Sequence, residues 1–91
     1  MFEVLYHHLV IQEDIPRLSP LWKEKIRSAI GDKLATKPEV FGTPLRRSLK
    51  GYWKLRVGDY RIIYRIERLK IKIFVIRHRS IVYDLAAKRA L

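Results

Sequence analysis

The chain has 91 residues, 48% of them hydrophobic, with 20 lysines and arginines against 9 acidic residues and a formal charge of +11. That size suits one domain, and that apolar content argues against disorder. With no cysteine there is neither a disulfide framework nor thiol chemistry, and no apolar run approaches the roughly 20 residues of a membrane span. Self-repulsion at +11 costs stability, so the charge points to a polyanionic partner: nucleic acid first, an acidic protein second, the two being compatible. The opening "MFEVLYHH" has no basic lead-in and no cleavage site. The plain expectation is a soluble cytoplasmic protein without a signal peptide or membrane partner.

In chain order, "FEVLY" (2–6) carries the β-favouring residues of a strand. "HHLVIQEDIPRLS" is ambiguous; it can hold a short helix, which Pro16 kinks or ends. His7 and His8, if the strand continued, would point to opposite faces. From Ser19 a helix is clear: Ser19 is a candidate N-cap and Pro20 suits the first helical position. Trp22, Ile26, Ala29, Ile30 and Leu34 make one apolar stripe opposite Lys23, Arg27 and Asp32. Pro38 limits this helix near Thr36. The connector "KPEVFGTPLRRSLKG" (37–51) is expected to pin itself to the core through Phe41, Leu45 and Leu49. Strands are predicted at about 51–57, 60–67 and 70–77. The tail "SIVYDLAAKRAL" reads as a short helix with Ser80 as a candidate cap. The fold class is α+β: an N-terminal strand, a helical hairpin, an antiparallel sheet of three or four strands and a short C-terminal helix, all in one domain, 1–91.

Gly58-Asp59 is a two-residue hairpin link. It places Val57 opposite Tyr60, Arg56 opposite Arg61 and Lys54 opposite Ile63. Trp53, Leu55, Val57, Tyr60, Ile62 and Tyr64 then share one face, and Lys54, Arg56, Arg61 and Arg65 the other. Charges on a sheet's exposed face are commonly just solvated. Here, however, no acidic residue interleaves with the cations, and like charges directly opposite destabilise a ladder. A bound phosphate would relieve that cost.

The segments "LRRSLKGYWKLRVGDYRIIYRI" and "VIRHRSIVY", the latter followed by "DLAAKRAL", resemble the RelE/ParE toxin superfamily of bacterial toxin–antitoxin systems, and its RelE branch most closely. The resemblance implies a small ribonuclease that cuts messenger RNA in the ribosomal A site. It also implies silencing by a cognate acidic antitoxin, whose complex can bind operator DNA. Carried over by position, the family's catalytic set falls on Lys54, Arg61, Arg77 and Tyr83. His78 is a second candidate acid or base, since imidazole exchanges protons near neutral pH. Lys50, Tyr52, Arg56, Arg65 and Arg79 are candidate RNA contacts.

Metal-free RNA cleavage has three requirements. The 2′-hydroxyl must lose its proton, a pentavalent phosphorane must be stabilised by fixed cations, and the 5′-oxygen must be protonated. Tyr83 is the proposed base. A free phenol has a pKa of about 10, so that role needs nearby positive charge; otherwise Tyr83 simply anchors the last helix. Arg77 either serves the scissile phosphate and leaving group or makes a salt bridge, with Asp84 or Glu67 as partners. His78 and Arg77 cannot both face the basic side by strict alternation, so a bulge intervenes or one of them is structural. No cofactor is implied, and without cysteine or suitably spaced carboxylates no metal site is expected. Tyr52 departs from the family, which has a lysine two positions before Lys54; an aromatic there can stack on a base. Two other readings stay open: a ParE-type toxin that inhibits DNA gyrase without cleaving RNA, and an inactive relative that only binds antitoxin.

Overall fold

The structure, a computed structural model, describes residues 1–91. Its frame is the hairpin of β3 (Trp53–Val57) and β4 (Tyr60–Glu67). Gly58 has φ +60°, and Asp59 is not in the left-handed region. Positive φ at the first central residue alone matches the type II′ turn that follows strand twist. The ring of Trp22 lies so close under Gly58 that a Cβ would collide with it, so conformation and space both demand glycine. The turn sets the predicted register, with Val57 opposite Tyr60, Arg56 opposite Arg61 and Lys54 opposite Ile63.

β5 (Lys70–His78) pairs antiparallel with β4. Arg68, at φ +58°, makes the connecting turn at a cost of about 1–2 kcal/mol for an L-residue. The pairing shifts by one residue: Ile63 faces Val75 while Tyr64 faces Ile73, leaving Phe74 as a bulge. Because the bulge precedes Arg77, that residue stays opposite Arg61, and His78 stays opposite Tyr60.

The α+β class is as expected, and the sheet extends to five strands, in the order β1-β5-β4-β3-β2. β1 (Glu3–Tyr6) runs parallel to β5, a pairing that needs a crossover, which the intervening helices help to supply. β2 (Thr43–Pro44) is a two-residue edge on β3, where proline is tolerated because one side of the strand is unpaired.

Each face of the sheet is covered differently. On one face, the residues between β1 and α1 (Pro20–Ala29) form a wide helical turn (Val10–Asp14) and a tight one (Ile15–Arg17) with Pro16 as its second residue. α1 follows, its Ser19 Oγ accepting from the Trp22 N–H at 3.4 Å, and the helix runs on to Leu34. The stripe residues Ile26, Ile30 and Leu34 bury against Leu55, Ile62, Tyr64, Ile73 and Ile76. Each such burial is worth about 1.5–3 kcal/mol. No helix is long and apolar enough to cross a membrane.

On the opposite face, α3 (Val82–Arg89) lays Val82 and Ala86 on Leu49, Ile63 and Val75. Part of the hairpin's basic face is therefore roofed by the last helix. α3 lacks the predicted Ser80 cap: Ile81 occupies the N-cap without a side-chain bond, and Ser80 turns to the His78 ring. In the connector, Leu49 is buried and Leu45 half-buried, but Phe41, in the short α2 (Pro38–Phe41), is 45% exposed. Its anchoring is done instead by Pro38, whose carbonyl accepts from the buried Tyr64 hydroxyl at 2.8 Å. Burial pushes the Tyr64 phenol pKa upward. His7 and His8 lie beyond the end of β1 and stack on each other at 4.4 Å instead of diverging.

Candidate active site

The register places Arg56, Arg61 and Arg77 in one row across β3, β4 and β5. Lys54, two residues before Arg56, lies on the same face as Ile63, beneath the start of α3. From there its Nζ reaches to 5.7 Å from the centre of the Tyr83 ring. Tyr83 is half-buried, packed on the small core under α3 that includes Ile63 and Val75. Two strands and one helix thus gather four of the predicted residues: Lys54, Arg56, Arg61 and Tyr83.

These cations lack the partners that surface charges usually find. Lys50, Lys54, Arg56 and Arg61 enter none of the ion pairs in the molecule. Arg61 is only 7% exposed. Its Nη1 donates to the carbonyls of Gly58 (2.9 Å) and Tyr60 (2.8 Å), both at the hairpin turn. The turn that fixes the register therefore also clamps the guanidinium. A nearly buried charge held by neutral carbonyls alone, beside Arg56, is an arrangement that favours an incoming anion.

Arg77 sits at the end of the row but is already matched. Its Nε donates to Asp14 Oδ1 at 2.8 Å, and Glu13 lies 3.9 Å from its Nη2. Of the two alternatives read from the sequence, the structure displays a salt bridge, with Asp14 and Glu13 in place of Asp84 or Glu67. Asp14 is fully buried and accepts four hydrogen bonds: from the Ile76 N–H at 2.9 Å and from Arg77 Nε, Arg89 Nη1 and Arg89 Nη2 at 2.8 Å each. It takes the Ile76 amide where β5 has run past its last pairing with β1 at Ile73. Arg89 also donates to the Phe74 carbonyl at 3.0 Å, tying the end of α3 to β5. Asp14 and Arg89 were not singled out in the sequence; "QED" ahead of a proline carries no sign that its aspartate is buried.

The remaining predicted residues are spread around this centre. His78 pairs with Tyr60 on the α1 side, its ring edge-on to Tyr60 at 5.9 Å, with Nδ1 2.9 Å from Ser80 Oγ. The structure does not bring it to Lys54 or Tyr83. Arg79 is exposed beside the hairpin turn, 3.7 Å from Asp59. Lys50 is exposed before β3. Arg65 lies 3.6 Å from Glu67 and places its guanidinium carbon 5.2 Å from the Tyr52 ring centre. No group of three or more histidines, aspartates and glutamates is arranged to hold a metal ion. What the site assembles is a set of fixed cations with one phenol.

Comparisons with known proteins bear on the family and the fold. The family model described as the ParE toxin of type II toxin–antitoxin systems matches residues 2–83. The chain is 35% identical over 75 residues to Toxin RelG of Mycobacterium tuberculosis, spanning 79% of this chain and 85% of that one. It is 32% identical over 85 residues to Toxin RelE of the same organism, spanning 87% and 88% of the two chains. A chain in the crystal structure of the toxin–antitoxin complex RelBE2 from M. tuberculosis superposes with a TM-score of 0.80 at 28% identity, covering 87% of this chain and 92% of that one. With most of its length accounted for by both the family model and these relatives, the chain belongs to the RelE/ParE superfamily of type II toxin–antitoxin toxins.

Proposed function

We propose that the protein is a metal-free endoribonuclease that cuts messenger RNA in the ribosomal A site and is held inactive by a cognate acidic antitoxin. The observation that carries this reading is the set of unpaired cations on β3 and β4, Lys54, Arg56 and Arg61, beside the Tyr83 ring. In the scheme, Tyr83 Oη takes the proton of a ribose 2′-hydroxyl. The 2′-oxygen attacks the adjacent phosphorus and the bond to the 5′-oxygen breaks. That oxygen regains a proton through solvent, leaving a 2′,3′-cyclic phosphate and a 5′-hydroxyl. Lys54, Arg56 and Arg61 stabilise the charge that grows on the phosphorane, a role for which preorganised cations are well suited. Arg77, already shared with Asp14, fixes the end of the row. His78, on the other face, stands outside the proton relay. The same cations suit an acidic antitoxin, and the likeness to a chain in the RelBE2 complex supports such a partner, through which operator DNA can be engaged.

The match to the ParE family model favours a second reading, a gyrase-directed toxin that cleaves nothing. Induced expression followed by primer extension on cellular transcripts separates the two. Cuts inside translated codons that vanish in Tyr83→Phe and Arg61→Ala support the ribonuclease. Growth arrest with intact transcripts and accumulating DNA breaks supports the gyrase reading instead.

A further inference from the structure

Beyond the cation row on the same sheet face lies a cleft of about 350 Å³ that the catalytic scheme does not use. The β5 bulge builds it. Bulges commonly re-aim side chains beside functional sites, and here two consecutive residues, Phe74 and Val75, both pack on the core beneath α3. Val75 is fully buried, while half-exposed Phe74 packs at a tilt against Tyr52, ring centres 4.9 Å apart, and meets the His7 ring edge-on at 5.3 Å. Tyr6 closes the β1 side, and Arg65 and Glu67 form part of the rim. Leu9 N–H donates to His7 Nδ1 at 3.1 Å, which leaves the ring proton on Nε2. Desolvation, with the charges of His8 and Arg89 outweighing that of Asp14, holds the His7 pKa below its usual range, so the His7 ring favours its neutral form beside the charged Arg65, Glu67 and Lys72 of the lining.

We propose that this cleft is a nucleobase subsite, taking one unstacked base of a single-stranded RNA whose phosphate lies at the Arg61 row, and preferring a base with an exocyclic amino group over uracil. The volume is at the small end of ligand pockets, which run from about 300 to 1,000 Å³, so it suits one base and not a folded segment. Aromatic walls and a guanidinium plane are the features single-stranded RNA readers use. Arg65 and Arg61 occupy the same face of β4, about 13 Å apart by strand rise, with Ile63 and the α3 that roofs it between them, so a strand reaching both passes around the helix. The amino preference comes from Glu67: an ionised carboxylate only accepts hydrogen bonds, with lone pairs to spare beyond Lys72 at 3.0 Å and Arg65 at 3.6 Å. The subsite rests on the ribonuclease reading for its role, and its binding can be tested apart from cleavage.

The probe is a short single-stranded RNA carrying 2-aminopurine and a 2′-deoxy block at the scissile position, titrated into the full chain. The wild type quenches the fluorophore on binding. Tyr52→Leu loses the quench and binds about 5- to 100-fold more weakly, whereas Tyr52→Phe retains both. Glu67→Gln, an isosteric change at a half-exposed side chain, narrows the discrimination between cytosine- and uracil-containing probes. A quench unaltered in Tyr52→Leu, or equal binding of the two probes by the wild type, overturns the subsite even if cleavage is intact. A dependence on Tyr52 seen only with an acidic peptide, and not with RNA, overturns it in favour of an antitoxin surface. Wild-type protein that binds and quenches without ever cutting transcripts upholds the subsite and removes the ribonuclease.

Discussion

Arg77 and Arg61 face each other across two neighbouring strands, yet they live in opposite electrostatic circumstances. Arg77, with Arg89, meets the buried Asp14 and the nearby Glu13, two positive charges against two negative. Arg61, with Lys54 and Arg56, meets carbonyls, a phenol ring and no carboxylate. One end of the row is complete within the chain, and the other is completed only by something that arrives. Burial of charge is thus no guide to function by itself; the presence or absence of an internal counter-charge separates the structural arginines from the candidate catalytic ones.

The sharpest way to break that comparison is to alter the uncompensated end and measure activity and stability together. Tyr83→Phe is expected to lower single-turnover cleavage of ribosome-bound messenger RNA by about 10²–10⁴-fold, the range for loss of a general base. Thermal unfolding should change little, because the ring that packs on the α3 core remains. A variant that cuts at the wild-type rate would remove Tyr83 from the scheme.

The compensated end should respond in the opposite sense. Asp14→Asn leaves Arg77 and Arg89 with only the exposed Glu13, 3.9 and 3.7 Å away, as counter-charge, in a cluster where Arg89 Nε is already buried without a partner. Breaking a buried pair costs about 3–5 kcal/mol, a loss that denaturant titration would register directly. An unchanged midpoint would mean that the cluster is not what secures α3 to β5.

Salt provides a third, smaller contrast. If Lys54, Arg56 and Arg61 each neutralise one phosphate, the logarithm of RNA affinity should fall against the logarithm of salt with a slope of about −2, at about −0.7 per contact for a single strand. Replacing Arg56 with glutamine should reduce that slope by one contact, while the same replacement at Arg77 should leave it alone.

The smallest effect is the most diagnostic in sign. Arg56 stands directly opposite Arg61, and like charges so placed cost about 0.2–1 kcal/mol. Arg56→Gln should therefore stabilise the free protein by that amount while weakening RNA binding. Destabilisation would show that the pair is not strained in the absence of an anion.

Much of this site was legible because a hairpin's register follows from its turn. Gly58-Asp59 determined which residues oppose which, and alternation then sorted Lys54, Arg56, Arg61 and Arg65 from the apolar set. The hidden parts depend on contacts distant in sequence. Nothing near Asp14 announces that Arg89, 75 positions away, will neutralise it. The Phe74 bulge arises because Val75 must reach the core under α3, a packing demand that local alternation does not encode. The roofing of Ile63 by α3 was likewise invisible, since an isoleucine among arginines on one strand reads as an interruption until the helix that covers it is known. His78 and Ser80 illustrate a third limit: a serine at a helix start looks like a cap, but the neighbouring imidazole competes for its hydroxyl.

The most direct test of the uncompensated row is nuclear magnetic resonance of the arginine Nε–H groups during titration with a 2′-deoxy-blocked RNA dinucleotide. The account predicts that the Arg56 and Arg61 signals shift as the phosphate docks, while those of Arg77 and Arg89 remain fixed on Asp14. Shifts confined to Arg77 and Arg89, with Arg56 and Arg61 unmoved, would contradict it.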